Sequence, residues 1–177
     1  FVKLLSFIYI PILSRFLGPE GMGVFNLAVL ITPWVISLSS LSLSFVVTQF
    51  IVEHHKQFPV KTIVETSLLI GLFFGGLATL IYFLLAPWIA THSFHDDSLT
   101  FYLQLASPII LFSVLYTVMQ GAIRGFKDFK RFALYEFYKQ LVNVLLGILF
   151  LLIGYRIGGA IVAMVLSTAF IVGVFTF

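Results

Sequence analysis

The feature that most constrains this chain is a succession of apolar runs, each about as long as a bilayer is thick, joined by connections too short to hold a domain. A hydrocarbon core of about 30 Å is crossed by about 20 helical residues. Six runs meet that length or are cut short by the chain ends: about 1–16, 24–47, 63–85, 100–123, 132–154 and 158–177. The first closes on Leu17-Gly18-Pro19-Glu20-Gly21, whose glycines and proline break a helix, and the third is expected to end at Pro87-Trp88. The pattern predicts an all-α, polytopic transmembrane bundle of six helices forming one unit, residues 1–177, with no internal repeat. The sequence opens at Phe1 and stops at Phe177, both inside apolar runs, which reads as a fragment. The first run has neither a basic leader nor a small-residue cleavage site, so it is not a signal peptide.

Composition supports the same reading. Hydrophobic residues make up 60% of the chain and charged ones 10%, against about 25% charged in an ordinary soluble domain. A soluble fold of this size could not cover so much apolar surface. There is no cysteine, so disulfides and thiolate metal sites are excluded.

The sparse charges set an orientation. Lys56, Lys61, Arg124, Lys127, Lys130, Arg131 and Lys139 fall on one side, where the start of the first helix adds Lys3. Arg15, Arg156 and the acidic pair Asp96-Asp97 fall on the other. Short loops rich in Lys and Arg stay in the cytoplasm, which predicts a multi-pass protein of the cytoplasmic membrane with its N-terminus and basic loops inside. Trp88 suits the interfacial belt; Trp34 lies deep for that role.

Residues spaced by three, four, seven or eleven share a helical face. Asn26, Ser37, Ser40, Ser44 and Thr48 fall together on the second helix. Tyr102, Ser113, Tyr116, Thr117, Gln120 and Arg124 do so on the fourth, and Glu136, Lys139, Gln140, Asn143 and Gly147 on the fifth. Polar groups are costly against lipid, so these faces are expected to turn inward. For the hydroxyls the plain reading is hydrogen bonding between helices. Glu136 and Lys139 admit a functional reading, since intramembrane charges mark pathways. They also admit a structural one, as an i, i+3 ion pair or as side chains reaching the interface. Ser67, Gly71, Gly75 and Thr79 recur every fourth residue in the third helix, with Gly159, Ala163 and Ser167 in the sixth; both are read as packing stripes. Pro11, Pro33 and Pro108 are expected to kink their helices.

No phosphate-cradling G-x-x-x-x-G-K-[ST] run occurs. His54-His55 and His92 with His95 lie in loops without the spacing or partners of a metal site. Asp96-Asp97 read as solvated loop residues, and no nucleophilic or paired-carboxylate constellation is present. The expectation is a protein that is not an enzyme, with no cofactor, no metal and no nucleic-acid partner.

The run SRFLGPEGMGVFNLA, from Ser14 to Ala28, resembles the first-loop signature of the polysaccharide-biosynthesis flippases, which include O-antigen transporters and stage V sporulation protein B-like proteins. QGAIRGFKDFKRFALYEFYKQLVNVLLG, Gln120 to Gly147, is similar to that family's fourth helix, basic loop and fifth helix. The resemblance covers the chain and the first half of a family member. It implies a two-bundle transporter of which this chain is one half, the bundles rocking around a central cavity. The superfamily also holds multidrug exporters and the lipid II flippase. The latter branch carries an Arg-Asp pair where this chain has Tyr9-Ile10, and an arginine in the second helix, where none occurs here; lipid II is therefore not the expected cargo.

The function expected is the flipping of a lipid-linked oligosaccharide or polysaccharide precursor by alternating access. A phosphorylated polyprenyl sugar has a head that cannot cross hydrocarbon unaided. Arg15, Arg124 and Lys139 are the candidate contacts to its phosphates, with Glu136, Gln140 and Asn143 beside them. Asn26, Ser37, Ser40, Ser44, Tyr116 and Gln120 are the candidate cavity lining, and Glu20 is expected to pair with Arg15. The alternative is a cation-coupled multidrug or small-molecule antiporter, which needs a buried carboxylate; Glu136 is the one strongly placed here. A membrane-embedded glycosyltransferase is the third class, set against the lack of a catalytic constellation. The expected partners are the lipid-linked glycan and the bilayer; a glycan polymerase or glycosyltransferase partner is not identified by the sequence.

Overall fold

The computed structural model describes residues 2–40, 42–54 and 59–176. His55 and Lys56, singled out above, lie outside the described residues, as do the side chains of Lys3 and His54. The described residues form eight helices: α1 (Val2–Leu30), α2 (Thr32–Ser40), α3 (Leu43–His54), α4 (Val60–Ser93), α5 (Leu99–Ala106), α6 (Pro108–Gly125), α7 (Phe129–Ile153) and α8 (Arg156–Thr176). Five stretches are long and apolar enough to cross a membrane, of which the first, Leu5–Glu53, is 49 residues long. Six crossings were expected from the sequence. The difference arises because Leu5–Glu53 contains the first two expected runs, enough for two passes of about 20 residues each. They are separated by Gly18 alone, whose φ of 71° and ψ of 176° lie outside the helical region. Only glycine adopts that conformation without steric cost. The helix resumes at once at Pro19, whose fixed φ and missing N–H suit a first helical turn.

Several boundaries differ from those expected. The third span does not stop at Pro87-Trp88; α4 runs 34 residues to Ser93 with Pro87 inside it. At about 1.5 Å per residue α4 is about 50 Å long, so its end carries past the hydrocarbon and Pro87 falls near the last turns. Pro33 and Pro108 sit at breaks. Ile31 separates α1 from α2, and Ser107 separates α5 from α6, with Pro108 at the start of α6. Pro11 lies within α1.

Helix α6 is the centre of the bundle, packed against α2, α3, α4, α7 and α8. Its Ile110, Val114 and Val118 are fully buried. Glycines bring neighbouring helices unusually close at several crossings. A Cβ on Gly121 would lie 2.5 Å from the Ser44 carbonyl oxygen, so α3 crosses α6 backbone to backbone. Thr48 Oγ1 donates across that crossing to the Gly121 carbonyl at 2.9 Å. A Cβ on Gly75 would stand 3.2 Å from Val114 Cβ and 3.3 Å from Leu111 Cδ1, so the Gly71–Gly75 stripe of α4 packs on α6. Gly159 meets Phe150 of α7 in the same manner. The opposite face of α4 exposes Leu69, Leu72, Phe73, Leu80 and Leu84, a surface suited to lipid tails.

Loops gather at the two ends of the bundle. Ile51, near the end of α3, packs against Gly125 at the end of α6, so the basic connection from α6 to α7 shares an end with the α3–α4 connection. At the other end Gly21, just past the Gly18 break, approaches Ile157 at the start of α8. Two ion pairs flank the basic end: Lys61–Glu65 at 3.7 Å and Arg131–Asp128 at 3.0 Å. Both are solvent-exposed and contribute little. Asp128 also caps α7 by accepting from the Arg131 N–H at 3.0 Å.

Candidate functional site

A cavity of about 380 Å³ opens between α1, α2, α6, α7 and α8. Its polar lining is Thr32, Ser113, Lys139, Gln140, Asn143, Ser167 and Thr168, and Val29, Ile36, Ile109 and Met164 supply apolar walls. Among the described residues, other hollows are mainly apolar, although one is lined in part by Thr62, Thr66 and Ser67 and another by Glu65. The polar one is created by sequence spacing. Lys139, Gln140 and Asn143 are offset by one and four positions, so they project from one side of α7. Thr32 reaches the same space because α2 begins there, after the break at Ile31 and just before Pro33.

The polar groups of the cavity divide into those already satisfied and those left open. Ser167 Oγ and Thr168 Oγ1 both donate to the Met164 carbonyl, at 3.0 and 2.9 Å. The Lys139 ammonium lies 4.3 Å from the centre of the Tyr116 ring. Contact with the ring's negative face holds the cation but supplies no hydrogen-bond acceptor. Asn143 Oδ1 and Thr32 Oγ1 are buried with no hydrogen-bond partner among the described residues. The Thr32 hydroxyl is near that of Tyr82 but does not close a hydrogen bond with it.

One turn nearer the basic end, Glu136 of α7 accepts a short 2.5 Å hydrogen bond from Gln120 Nε2 of α6. The Tyr116 hydroxyl is within reach of both. Glu136 and Lys139 each contact α6; the carboxylate still acts on the ammonium through space, but the close i, i+3 ion pair between them is not formed. The result is a polar strap joining α6 and α7 between the basic loop and the cavity.

The other candidate residues stand elsewhere. Arg124 is exposed at the end of α6, with its guanidinium 4.7 Å from the centre of the Phe132 ring. Arg15 and Glu20 are both exposed on either side of Gly18, and the ion pair expected between them is not formed. Asn26 and Ser37 are exposed. Ser40 donates to the Ser37 carbonyl at 3.1 Å, and Ser44 packs on Gly121. Thr32 and Thr168 line the cavity without having been singled out from the sequence. The available signal for Thr32 was a polar residue directly before a proline in an apolar run.

Tyr9, at the position where the resemblance placed an Arg-Asp pair, is 6% exposed and lies against Gly147 of α7. A side chain at 147 would overlap the tyrosine hydroxyl, so Gly147 is required by the tyrosine rather than by helix flexibility.

A family model described as polysaccharide biosynthesis protein matches residues 1–176. Comparisons with curated proteins and with solved structures give no match.

Proposed function

Because the chain belongs to the polysaccharide biosynthesis protein family, a family of membrane transporters rather than enzymes, we propose that it carries the head group of a lipid-linked oligosaccharide or polysaccharide precursor across the cytoplasmic membrane by alternating access. In this reading its bundle is one half of the transporter, and the basic loops face the cytoplasm. The observation that carries the proposal is the placement of Lys139 in a polar cavity of an otherwise apolar bundle. A charged side chain within a membrane-spanning helix costs about 2.5–3.5 kcal/mol at the centre, and the Tyr116 ring returns only about 0.5–2 kcal/mol of that. Pyrophosphate oxygens would supply the missing acceptors. The polyprenyl tail stays in lipid, so the protein has to shelter only the head.

Export of the glycan by cells carrying single substitutions tests this. Lys139→Ala abolishes export while the protein still accumulates in the membrane. Lys139→Arg keeps part of the activity, since the charge survives with altered geometry. Full export by Lys139→Ala at normal abundance refutes the assignment and leaves the α7 face as structure.

A further inference from the structure

The turn between α6 and α7 is built to hold one shape. Only Phe126, Lys127 and Asp128 separate the two helices. The Lys127 N–H donates to the Arg124 carbonyl at 2.9 Å, and the Asp128 N–H donates to the Ile123 carbonyl at 3.3 Å. This pair of bonds ends a helix through a residue in the left-handed region, a place glycine usually takes. Lys127 takes it here, with φ of 57°. A side chain there carries a steric cost that glycine would not. Asp128 then caps α7 and pairs with Arg131, so the one acid between Gln120 and Tyr135 is already committed.

What the turn presents is an alternation of rings and cations. Phe126 and Phe129 are 57% and 67% exposed. Lys127 and Lys130 are exposed beside them, and Arg124 is exposed near the end of α6. No carboxylate pairs with these three cations among the described residues. The Phe132 ring takes the flat side of the Arg124 guanidinium, whose N–H groups lie in its plane and stay available. Orientation alone would account for basic residues in this connection. It does not require two bare phenylalanines at the tip, nor a lysine where glycine is cheaper. Both flanking helices are long and apolar enough to cross a membrane, so the turn is carried at its surface. There the rings can enter the boundary between head groups and acyl chains while the neighbouring cations reach phosphates. A soluble acidic partner would meet the cations, but the rings already have an apolar layer beside them.

We infer that the α6–α7 turn is a site for anionic phospholipid: Phe126 and Phe129 insert into the membrane interface, and Arg124, Lys127 and Lys130 gather head groups of net negative charge. The site concerns the lipid around the protein rather than its cargo, and stands whichever cargo is carried.

A reporter at the tip tests this. The chain holds two tryptophans, so Trp34→Phe and Trp88→Phe combined with Phe126→Trp leave one indole, in the turn. This parent protein is reconstituted in vesicles of equal parts phosphatidylglycerol and phosphatidylcholine, with bromine near the head-group end of the acyl chains of one lipid or the other. Brominated phosphatidylglycerol quenches the reporter about twice as strongly as brominated phosphatidylcholine, within the roughly fivefold that one basic residue gains at an anionic membrane surface. Salt at about 0.5 M, where the screening length is about 4 Å, removes the preference without altering the protein. Lys127→Gln with Lys130→Gln brings the two lipids level, while quenching by both persists because the rings stay inserted. Lys61→Gln removes a charge at the same end of the bundle, one already paired with Glu65, and keeps the preference. Equal quenching by the two lipids in the parent protein, or a preference that survives high salt, overturns the site. So does an equal loss of preference in Lys61→Gln, which would mean a diffuse field. Absence of quenching by either lipid places the tip clear of the membrane, overturns the site, and leaves the turn to a soluble partner.

Discussion

At the α3–α6 crossing a single added carbon would meet backbone atoms of the neighbouring helix. In Gly121→Ala the new Cβ would stand 2.5 Å from the Ser44 carbonyl oxygen and 2.9 Å from Ser44 Cα. Both are backbone atoms, so no side-chain rotation relieves the clash and α3 must move away from α6. Overpacking of this kind costs about 1–3 kcal/mol. Displacement also opens the 2.9 Å bond from Thr48 to the Gly121 carbonyl, but the threonine hydroxyl keeps its 2.7 Å contact to the Ser44 carbonyl, so little is added. Against this stands a gain of about 1 kcal/mol for alanine over glycine within a helix. The net is a destabilisation of up to about 2 kcal/mol. With about 2–4 °C of melting temperature per kcal/mol for a chain of this size, the transition falls by up to about 8 °C. Gly76→Ala in α4 is the control, because a Cβ there meets nothing within 4 Å; only the helix-propensity gain remains, so its transition holds or rises. The fluorescence of Trp34 and Trp88 during heating of the detergent-solubilised protein reads both. The reasoning is refuted if Gly121→Ala melts at or above the wild type, or if Gly76→Ala falls as far.

Three further outcomes follow from the packing and the charges. Gly75→Leu and Gly71→Leu push α4 off Val114 and Val118 and reduce folded protein in the membrane, whereas Leu72→Ile, on the exposed face, leaves yield and melting unchanged; equal behaviour of all three would show the stripe facing lipid. Cysteines replacing Lys130 and Ser93 react with impermeant thiol reagents from opposite sides of the membrane, Lys130 from the cytoplasm, and reversed labelling would invert the orientation proposed. Glu136→Gln keeps an acceptor for Gln120 and so changes transport mildly; complete loss of transport together with its pH dependence would instead assign Glu136 a coupling proton and favour the antiporter alternative.

Much of the fold was legible because the bilayer imposes a length on every crossing. Run length located the helices, although not their ends: Pro87 was read as a stop, yet α4 passes through it to Ser93, carrying a proline that cannot donate to the carbonyl one turn before it. Glycine spacing correctly marked the α4 stripe because its partner contact depends on a missing Cβ, which sequence records directly. The same spacing relates Gly121 and Gly125 in α6, which were not singled out although both meet α3; what they touch, Ser44 and Ile51, lies far away in sequence. For the candidate site, the α7 face was readable as Glu136, Lys139, Gln140 and Asn143 because one helix fixes their spacing.

How that face is divided was not. Periodicity places four polar side chains on one side of a helix and says nothing about their distances to other helices. Only the bundle turns Glu136 onto Gln120, sets Lys139 over Tyr116 and encloses Asn143 Oδ1 without a partner. The same limit applies to the arginines: Arg15 and Arg124 have the right charge, but each is exposed near a helix break or end, and neither lines the cavity. The sequence by itself determined a helical membrane bundle, its crossings and the sign of its two ends, because these follow from local hydrophobicity and length. The tertiary structure alone decided which polar groups are satisfied and which remain open, because hydrogen-bond satisfaction is a property of pairs brought together from α2, α6, α7 and α8, and no single segment contains both members.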